Sequence, residues 1–169
     1  MKTLLETNKL IREVYNHRHV GIKYHRLNTA DPFDVTFTAW TDAAVGNRRD
    51  LSSTGGYFIA ATEPSILESK PSPINPISWK SGRLPRIARS SLSAEIQAFS
   101  IAEEELMYVR LQWSEMLGCD IPLRNPGALL RKVKGVMVTD SRSLYDVVHR
   151  GSKNTSGLGL KEKYSVLEF

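Results

Sequence analysis

The longest regular pattern of apolar and polar positions runs from Ala88 to Leu117. Apolar residues recur there at a spacing close to 3.6 residues, which predicts one amphipathic helix. The apolar stripe consists of Leu92, Ile96, Phe99, Leu106, Val109, Trp113 and Leu117. A stripe this broad is expected to pack on a β-sheet, and Gly118 is well placed to end the helix.

Alternating segments earlier in the chain predict a hairpin. Asp34 to Val45 is rich in Val, Thr, Phe and Trp and is expected to be the central strand. A turn at residues 46–50 precedes a returning strand at Ser53 to Ala60. The proline-rich stretch from Glu63 to Asn75 predicts a surface loop.

Two further strands complete the expected sheet. Pro76 to Ser81 predicts a short third strand, and Lys134 to Asp140 predicts a buried strand that ends in an acid. Ser141 to His149 then begins another helix. Together with the long helix, these segments predict an α/β fold.

The two ends of the chain carry weaker patterns. Residues 3–15 predict a short leading helix, and Val20 to Leu27 alternates like a strand with one polar face. We expect a connector at Pro122 to Gly127, a flexible stretch at Gly151 to Gly159 and a helical pattern from Lys161 to Phe169.

Composition narrows the class of protein. A chain of 169 residues with 41% apolar and 24% charged residues is expected to form one globular domain, with room for a short additional arm. No run of roughly 18 apolar residues is present, so we expect no membrane partner. With Cys119 as its only cysteine, the chain forms no internal disulfide, which suits a reducing compartment. A net charge of +5 favours a polyanionic partner.

Three acidic residues stand out. Asp42 lies inside the first alternating segment, Asp140 ends the last one, and Glu95 lies on the flank of the helix stripe near its start. Taken singly, Glu95 is an ordinary acid favoured by the helix dipole, and Asp42 is a strand residue that faces water. Taken together, they are expected to converge at one rim of the sheet. Oxygen ligands of this kind suit Mg²⁺ or Mn²⁺, and a pair of such ions stabilises both the attacking and the leaving oxygen of a phosphodiester.

A basic cluster precedes the long helix. It consists of Lys80, Arg83, Arg86 and Arg89. Beside an acidic site, these side chains are candidates for binding phosphates. The alternative is a solvated charge cluster without a partner.

Five segments, in order along the chain, resemble motifs of the ribonuclease H domain of copia-type retrotransposon Pol polyproteins. Trp40-Thr41-Asp42-Ala43-Ala44 resembles YSDAD, Ser53-Thr54-Gly55-Gly56-Tyr57 resembles STSGY, Ile77-Ser78-Trp79-Lys80-Ser81 matches ISWKS, Ser90-Ser91-Leu92-Ser93-Ala94-Glu95 resembles SSTEAE, and Thr139-Asp140-Ser141-Arg142-Ser143 resembles CDNQS. Glu105, Leu106 and Arg110 continue the helix of the fourth motif without a gap. Ordered motifs spread over more than half of a chain are a specific signal.

The resemblance implies a ribonuclease H-like fold, with an antiparallel three-strand meander, a parallel strand and covering helices. It implies a connecting segment from the reverse transcriptase at residues 1–30 and the ribonuclease H-like domain at residues 34–169. It also implies metal-dependent cleavage of the RNA strand of RNA–DNA hybrids, with Asp42, Glu95 and Asp140 as catalytic metal ligands for two Mg²⁺ or Mn²⁺ ions. The implied partners are the hybrid and the reverse transcriptase and integrase portions of the same polyprotein. The implied location is intracellular, in cytoplasmic virus-like particles or the nucleus.

The chain departs from the family pattern at two places. Ala44 stands where the family has a second aspartate, which is not a metal ligand. Nothing near the end of the sequence matches the family's final strand and fourth metal-binding aspartate. The sequence is therefore interpreted as a fragment, incomplete at the C-terminal side, that is weak or inactive alone and regains cleavage when extended.

The same residues argue against two other functions. An integrase is disfavoured because the acids occur in the order Asp, Glu, Asp and because no zinc-binding His/Cys arm is visible. A polymerase is disfavoured because no paired-aspartate motif is present. The remaining alternative is a non-catalytic hybrid-binding or structural remnant of a retrotransposon polyprotein.

Overall fold

The computed structural model describes residues 2–119 and 131–150. Its helices and strands, in chain order, are α1 (Lys2–Asn16), β1 (Thr36–Ala44), β2 (Thr54–Thr62), β3 (Asn75–Arg83), α2 (Ser91–Met116), β4 (Gly135–Thr139) and α3 (Arg142–Arg150). Short 3₁₀ turns lie at Pro32–Asp34 and Pro64–Glu68. None of the helices in these residues is long and apolar enough to cross a bilayer.

The four strands form one mixed sheet in the order β3-β2-β1-β4. β1, β2 and β3 form an antiparallel meander, and β4 pairs with β1 in parallel. The predicted hairpin, third strand and parallel strand are all present. The predicted long helix and the helix after the parallel strand are present as well. This architecture is compatible with a ribonuclease H-like α/β fold.

The core lies between the sheet and α2. Phe37 and Ala39 of β1 and Ile59 of β2 pack with Leu106 and Val109 of α2, and all five are buried. These residues alternate along the strands and recur at helical spacing in α2, which is why each element buries one face. Of the predicted stripe, Leu92, Trp113 and Leu117 are only half-buried.

Both ends of α2 have residues that terminate helices, of which only Gly118 was predicted. Ser90 precedes the helix in an extended conformation, and its side chain accepts a hydrogen bond from the Ser93 backbone N–H. At the other end, Gly118 has a φ of +75°, a left-handed conformation that favours glycine, and its N–H bonds to the Glu115 carbonyl. Because Ser90 caps the helix, α2 begins at Ser91, three residues later than the start at Ala88 that the apolar pattern predicts.

The predicted strand at Val20 to Leu27 is wrong, because this segment has no regular secondary structure. Leu27 packs against the core, and the segment is hydrogen-bonded to β3 through a side chain: the amide of Asn75 accepts from the His25 N–H at 2.6 Å and donates to the His25 carbonyl at 2.8 Å. Pro76 follows directly and has no N–H, so this end of β3 offers a poor edge for a further strand. α1 was predicted correctly and is exposed along its length.

The prediction that the last strand is buried is also wrong. β4 is half-exposed, because in the described part of the chain it has β1 on one side and no strand on the other. The predicted connector at 122–127 and the patterns at 151–159 and 161–169 lie outside the described residues. The division of the chain near residue 30 stays a prediction.

Arg110 holds the beginning of β4 against α2. Its Nε donates to the buried Val133 carbonyl at 2.8 Å. Gly135 leaves room for this side chain, because a Cβ at that position would lie 2.9 Å from Arg110 Cδ. Burial lowers the pKa of the Arg110 guanidinium, and the charge of Glu103 opposes that shift. Since β4 leads directly to Asp140, Arg110 helps to position that carboxylate.

Replacing Arg110 with methionine keeps most of the side-chain volume but removes the donor to Val133. We expect Arg110→Met to lower the free energy of unfolding by about 1–3 kcal/mol, because a buried carbonyl loses its partner. Urea denaturation measures the change. Arg12→Met, on exposed α1, is the matched control and should stay within about 0.5 kcal/mol of wild type. If the two variants are equally stable, Arg110 does not anchor β4.

Candidate metal centre

Two aspartates are brought together by the parallel pairing of β1 and β4. Thr41 is paired with Thr139, the last residue of β4. Asp42 and Asp140 each follow one residue later, so they lie side by side at the same rim of the sheet. Neighbouring strands are about 4.8 Å apart, which sets the separation of the two backbones there.

Asp140 occupies a tight turn between β4 and α3. The Ser141 N–H donates to the Thr139 hydroxyl at 3.1 Å, and the Ser141 hydroxyl accepts from the Leu144 N–H at 3.3 Å. Ser141 therefore caps α3 while its own backbone is held to the strand. Leu144 is fully buried against Ile96 and Phe99 of α2. These contacts hold Asp140 at the rim while its side chain stays exposed.

Glu95 approaches the same rim from α2. Residues 93–99 are all buried, because the first turns of the helix pack on two sides. Ala94 and Ala98 contact Leu84, whereas Ile96 and Phe99 contact Leu144. Glu95 is consequently 7% exposed, although the sequence places it only on the flank of the apolar stripe.

The three carboxylates form one compact acidic group. Asp42, Glu95 and Asp140 each offer an oxygen, and these three atoms lie within 4.8 Å of one another. The expected convergence is thus observed. Burial raises the pKa of Glu95, and the neighbouring charges of Asp42 and Asp140 raise it further. A hydrogen bond from the Ala43 backbone N–H acts in the opposite direction.

One atom of this group lacks a partner. Glu95 Oε2 is buried and forms no hydrogen bond. A buried carboxylate oxygen is normally hydrogen-bonded, paired with a charge or bound to a metal. With two more carboxylates beside it and no basic side chain in the group, the arrangement fits a divalent cation held by oxygen ligands. The three residues are close enough to bind one.

The predicted basic cluster begins at the same end of the sheet. Asp42 pairs with Gly56, which pairs with Ser81, so Lys80 and Arg83 of β3 flank the cross-strand row of Asp42. The side chains of Lys80, Arg83, Arg86 and Arg89 are all exposed. Arg83 lies 3.4 Å from Asp50, an exposed ion pair of the kind that contributes little to stability.

The sequence reading missed a residue that supports the basic cluster. Gln97 is buried on α2, and its Oε1 accepts from the Arg86 backbone N–H at 3.2 Å. This contact ties the loop before α2 to the turn of the helix that carries Glu95. A glutamine two residues after Glu95 in the motif helix is the only sequence signal of this role, and periodicity does not distinguish it from a surface residue.

No protein-family model and no curated protein matches the chain. Among solved structures, the chain is similar to "Crystal structure of Prototype Foamy Virus Protease-Reverse Transcriptase (native)", with 12% identity and a TM-score of 0.27. The similarity covers 86% of this chain and spans 22% of that chain. A TM-score this low establishes neither a shared fold nor a shared activity.

The raised pKa of Glu95 predicts a specific pH dependence. Its carboxyl binds a proton more tightly in the folded than in the unfolded state, so ionisation costs stability as the pH rises above the ordinary glutamate value of about 4.3. In the presence of a metal chelator, we expect Glu95→Gln to be more stable than wild type at pH 8, because the substitution removes the charge whose ionisation is unfavourable in the folded state.

The advantage of Glu95→Gln should shrink towards pH 4, where wild-type Glu95 is protonated. Urea denaturation at several pH values measures both effects. Glu104→Gln, which removes an exposed charge from the same helix, should show no such trend. If Glu95→Gln and wild type have the same stability at every pH, Glu95 does not carry a destabilising charge.

Proposed function

We propose that this chain is the ribonuclease H domain of a copia-type retrotransposon polyprotein and that it cleaves the RNA strand of RNA–DNA hybrids. The observation that carries the proposal is the acidic group of Asp42, Glu95 and Asp140, in which a buried Glu95 oxygen has no partner. The ordered motifs that contain these residues support the same assignment. The mixed sheet is compatible with the fold that the assignment requires.

In this proposal, Asp42, Glu95 and Asp140 are the catalytic residues and hold Mg²⁺ or Mn²⁺. A pair of such ions supplies stabilisation of the attacking and leaving oxygens of a phosphodiester. Glu95 binds from the protein side, where the Ala43 N–H orients its carboxylate. Asp42 and Asp140 are exposed, so a phosphate has access to the group from solvent. Arg110 and Ser141 are positioning residues, since they act on β4 and on the turn that carries Asp140.

The proposed substrate fits the charge of the protein. Lys80, Arg83, Arg86 and Arg89 would bind phosphates of the hybrid, whose A-like form is recognised through its backbone and 2′-hydroxyls rather than its sequence. Within the polyprotein, the reverse transcriptase and integrase portions would be its neighbours. Such a protein acts inside the cell, in cytoplasmic virus-like particles or in the nucleus.

A second candidate is a remnant that binds hybrids without cleaving them. The acidic group contains three carboxylates among residues 2–119 and 131–150, and three ligands suffice for one ion. A second ion needs further oxygen ligands. Binding and cleavage therefore have to be measured separately, because the two candidates differ only in cleavage.

Cleavage of a labelled RNA–DNA hybrid tests the enzyme directly. We expect cleavage in Mg²⁺ or Mn²⁺ that is lost in chelator, is weak for these 169 residues alone and is restored when the chain is extended on its C-terminal side. We expect it to fall by about a hundredfold or more in Asp42→Asn, Glu95→Gln and Asp140→Asn, because each removes a ligand of the ions that stabilise transition-state charge. Glu104→Gln is the matched control and should retain wild-type cleavage.

The same assay separates the candidates. If the extended protein, folded and metal-loaded, binds the hybrid and never cuts it, the remnant is supported. Cleavage that is unaffected by all three substitutions would show that a different site, or a contaminant, performs the reaction.

The basic cluster predicts a salt-dependent affinity. Neutralising a phosphate releases counterions, so the slope of log affinity against log salt should become shallower by about one for each phosphate contact removed. We expect this for alanine substitutions at Lys80, Arg83, Arg86 and Arg89, measured by fluorescence anisotropy with a labelled hybrid. Lys9→Ala/Arg12→Ala, on α1, is the control for lost positive charge. An unchanged slope in the fourfold variant would exclude the cluster from the binding surface.

A further inference from the structure

A small groove lies beside the candidate metal centre, between β3 and α2. Its volume is about 210 Å³. It is lined by Gly55, Gly56 and Gly82 of the sheet, by Ala98 of α2 and by the exposed cations Lys80 and Arg83. Ala98 lies one helical turn beyond Glu95, so the groove and the acidic group border the same part of α2.

Packing explains two of the three glycines. A Cβ on Gly55 would lie 2.5 Å from Leu84 Cδ2 and 3.1 Å from Ala98 Cβ. A Cβ on Gly56 would lie 3.0 Å from the Lys80 carbonyl oxygen. Either side chain would crowd a packed neighbour, so packing favours glycine at these positions.

Packing does not explain Gly82. A Cβ there would meet no atom within 4 Å. Its φ is not positive, since Gly46 and Gly118 are the positive-φ glycines of the described residues. The irregularity in the β2–β3 pairing lies between Ile59 and Ala60, at the other end of β3. Glycine inside a strand lowers stability relative to alanine and marks a turn, a bulge or the close approach of another molecule. A turn and a bulge are both excluded at Gly82, because it lies within β3 and the pairing irregularity is at the other end of that strand.

We propose that Gly82 is a substrate-binding position whose missing side chain lets the sugar–phosphate backbone of the hybrid lie in the groove. The inference rests on the proposed function and deepens it by naming where a substrate strand runs. Gly82 pairs with Gly55, so the two residues lie on the same face of the sheet, and both line the groove. A bulky side chain at residue 82 would stand where the backbone passes.

The charge beside the groove and the distance of the groove from Asp42 are both consistent with a bound sugar–phosphate backbone. Lys80 and Arg83 beside the groove are exposed cations that complement phosphates, and the Asp50 contact of Arg83 is weak enough to exchange. β3 is two strands away from β1, which places the groove about 10 Å from the Asp42 backbone. A nucleic-acid strand covers that distance within a few nucleotides.

The test measures the binding of the full chain to a fluorescent RNA–DNA hybrid by fluorescence anisotropy. A metal chelator is present so that no cleavage occurs. We expect Gly82→Leu to weaken binding by about tenfold or more, through lost phosphate contacts, and Gly82→Ala to weaken it less. Both variants should melt at or above the wild-type temperature, because the space is open and alanine is favoured over glycine in a strand. Gly21→Leu is the matched control, since a Cβ there also meets nothing within 4 Å.

The outcomes are distinguishable. If wild type binds the hybrid and Gly82→Leu binds it as well as Gly21→Leu does, the groove inference is wrong and the proposed function stands. If Gly82→Leu melts well below wild type, the fold uses this space and the inference is also wrong. If wild type binds no hybrid, the proposed function fails and the inference fails with it.

Discussion

Electrostatic repulsion among three closely spaced carboxylates is the main constraint on this structure. Asp42, Glu95 and Asp140 bring carboxylate oxygens within 4.8 Å of one another, and Glu95 is largely removed from water. Such an arrangement opposes folding unless a proton or a cation compensates the charge, which is why the pKa of Glu95 is raised. A site that costs stability when empty is typical of a site selected for binding. The metal hypothesis explains both the repulsion and the oxygen without a partner.

The rest of the fold holds these charges in place. Parallel pairing of β1 with β4 sets Asp42 beside Asp140, and the Arg110 contact with Val133 holds β4 at that register. Packing of α2 on both sides of Glu95 prevents the helix from moving its carboxylate away. Elements far apart in sequence therefore converge on one point, as a catalytic group needs.

The sequence predicted most of the strands and helices and the convergence of the three acids. Its predictions failed where contacts between residues distant in sequence determine the structure. Alternation and helical spacing located β1, β2, β3 and α2, and strand ends identified Asp42 and Asp140, because these signals are local. Val20 to Leu27 also alternates, yet it forms no strand, since its hydrogen bonds to β3 are made by the side chain of Asn75, 50 residues from His25. The depth of Glu95 and the role of Gln97 likewise depend on Leu84, Leu144 and Arg86, which no local pattern relates to α2.

The claim that the acidic group binds a divalent metal is tested most directly by anomalous scattering from a crystal grown in Mn²⁺. The account predicts a peak between Asp42, Glu95 and Asp140, with an oxygen of Glu95 at about 2.0–2.3 Å from the ion, the range for hard divalent cations. A well-ordered acidic group with no anomalous peak, at Mn²⁺ concentrations that occupy ordinary sites, would contradict it.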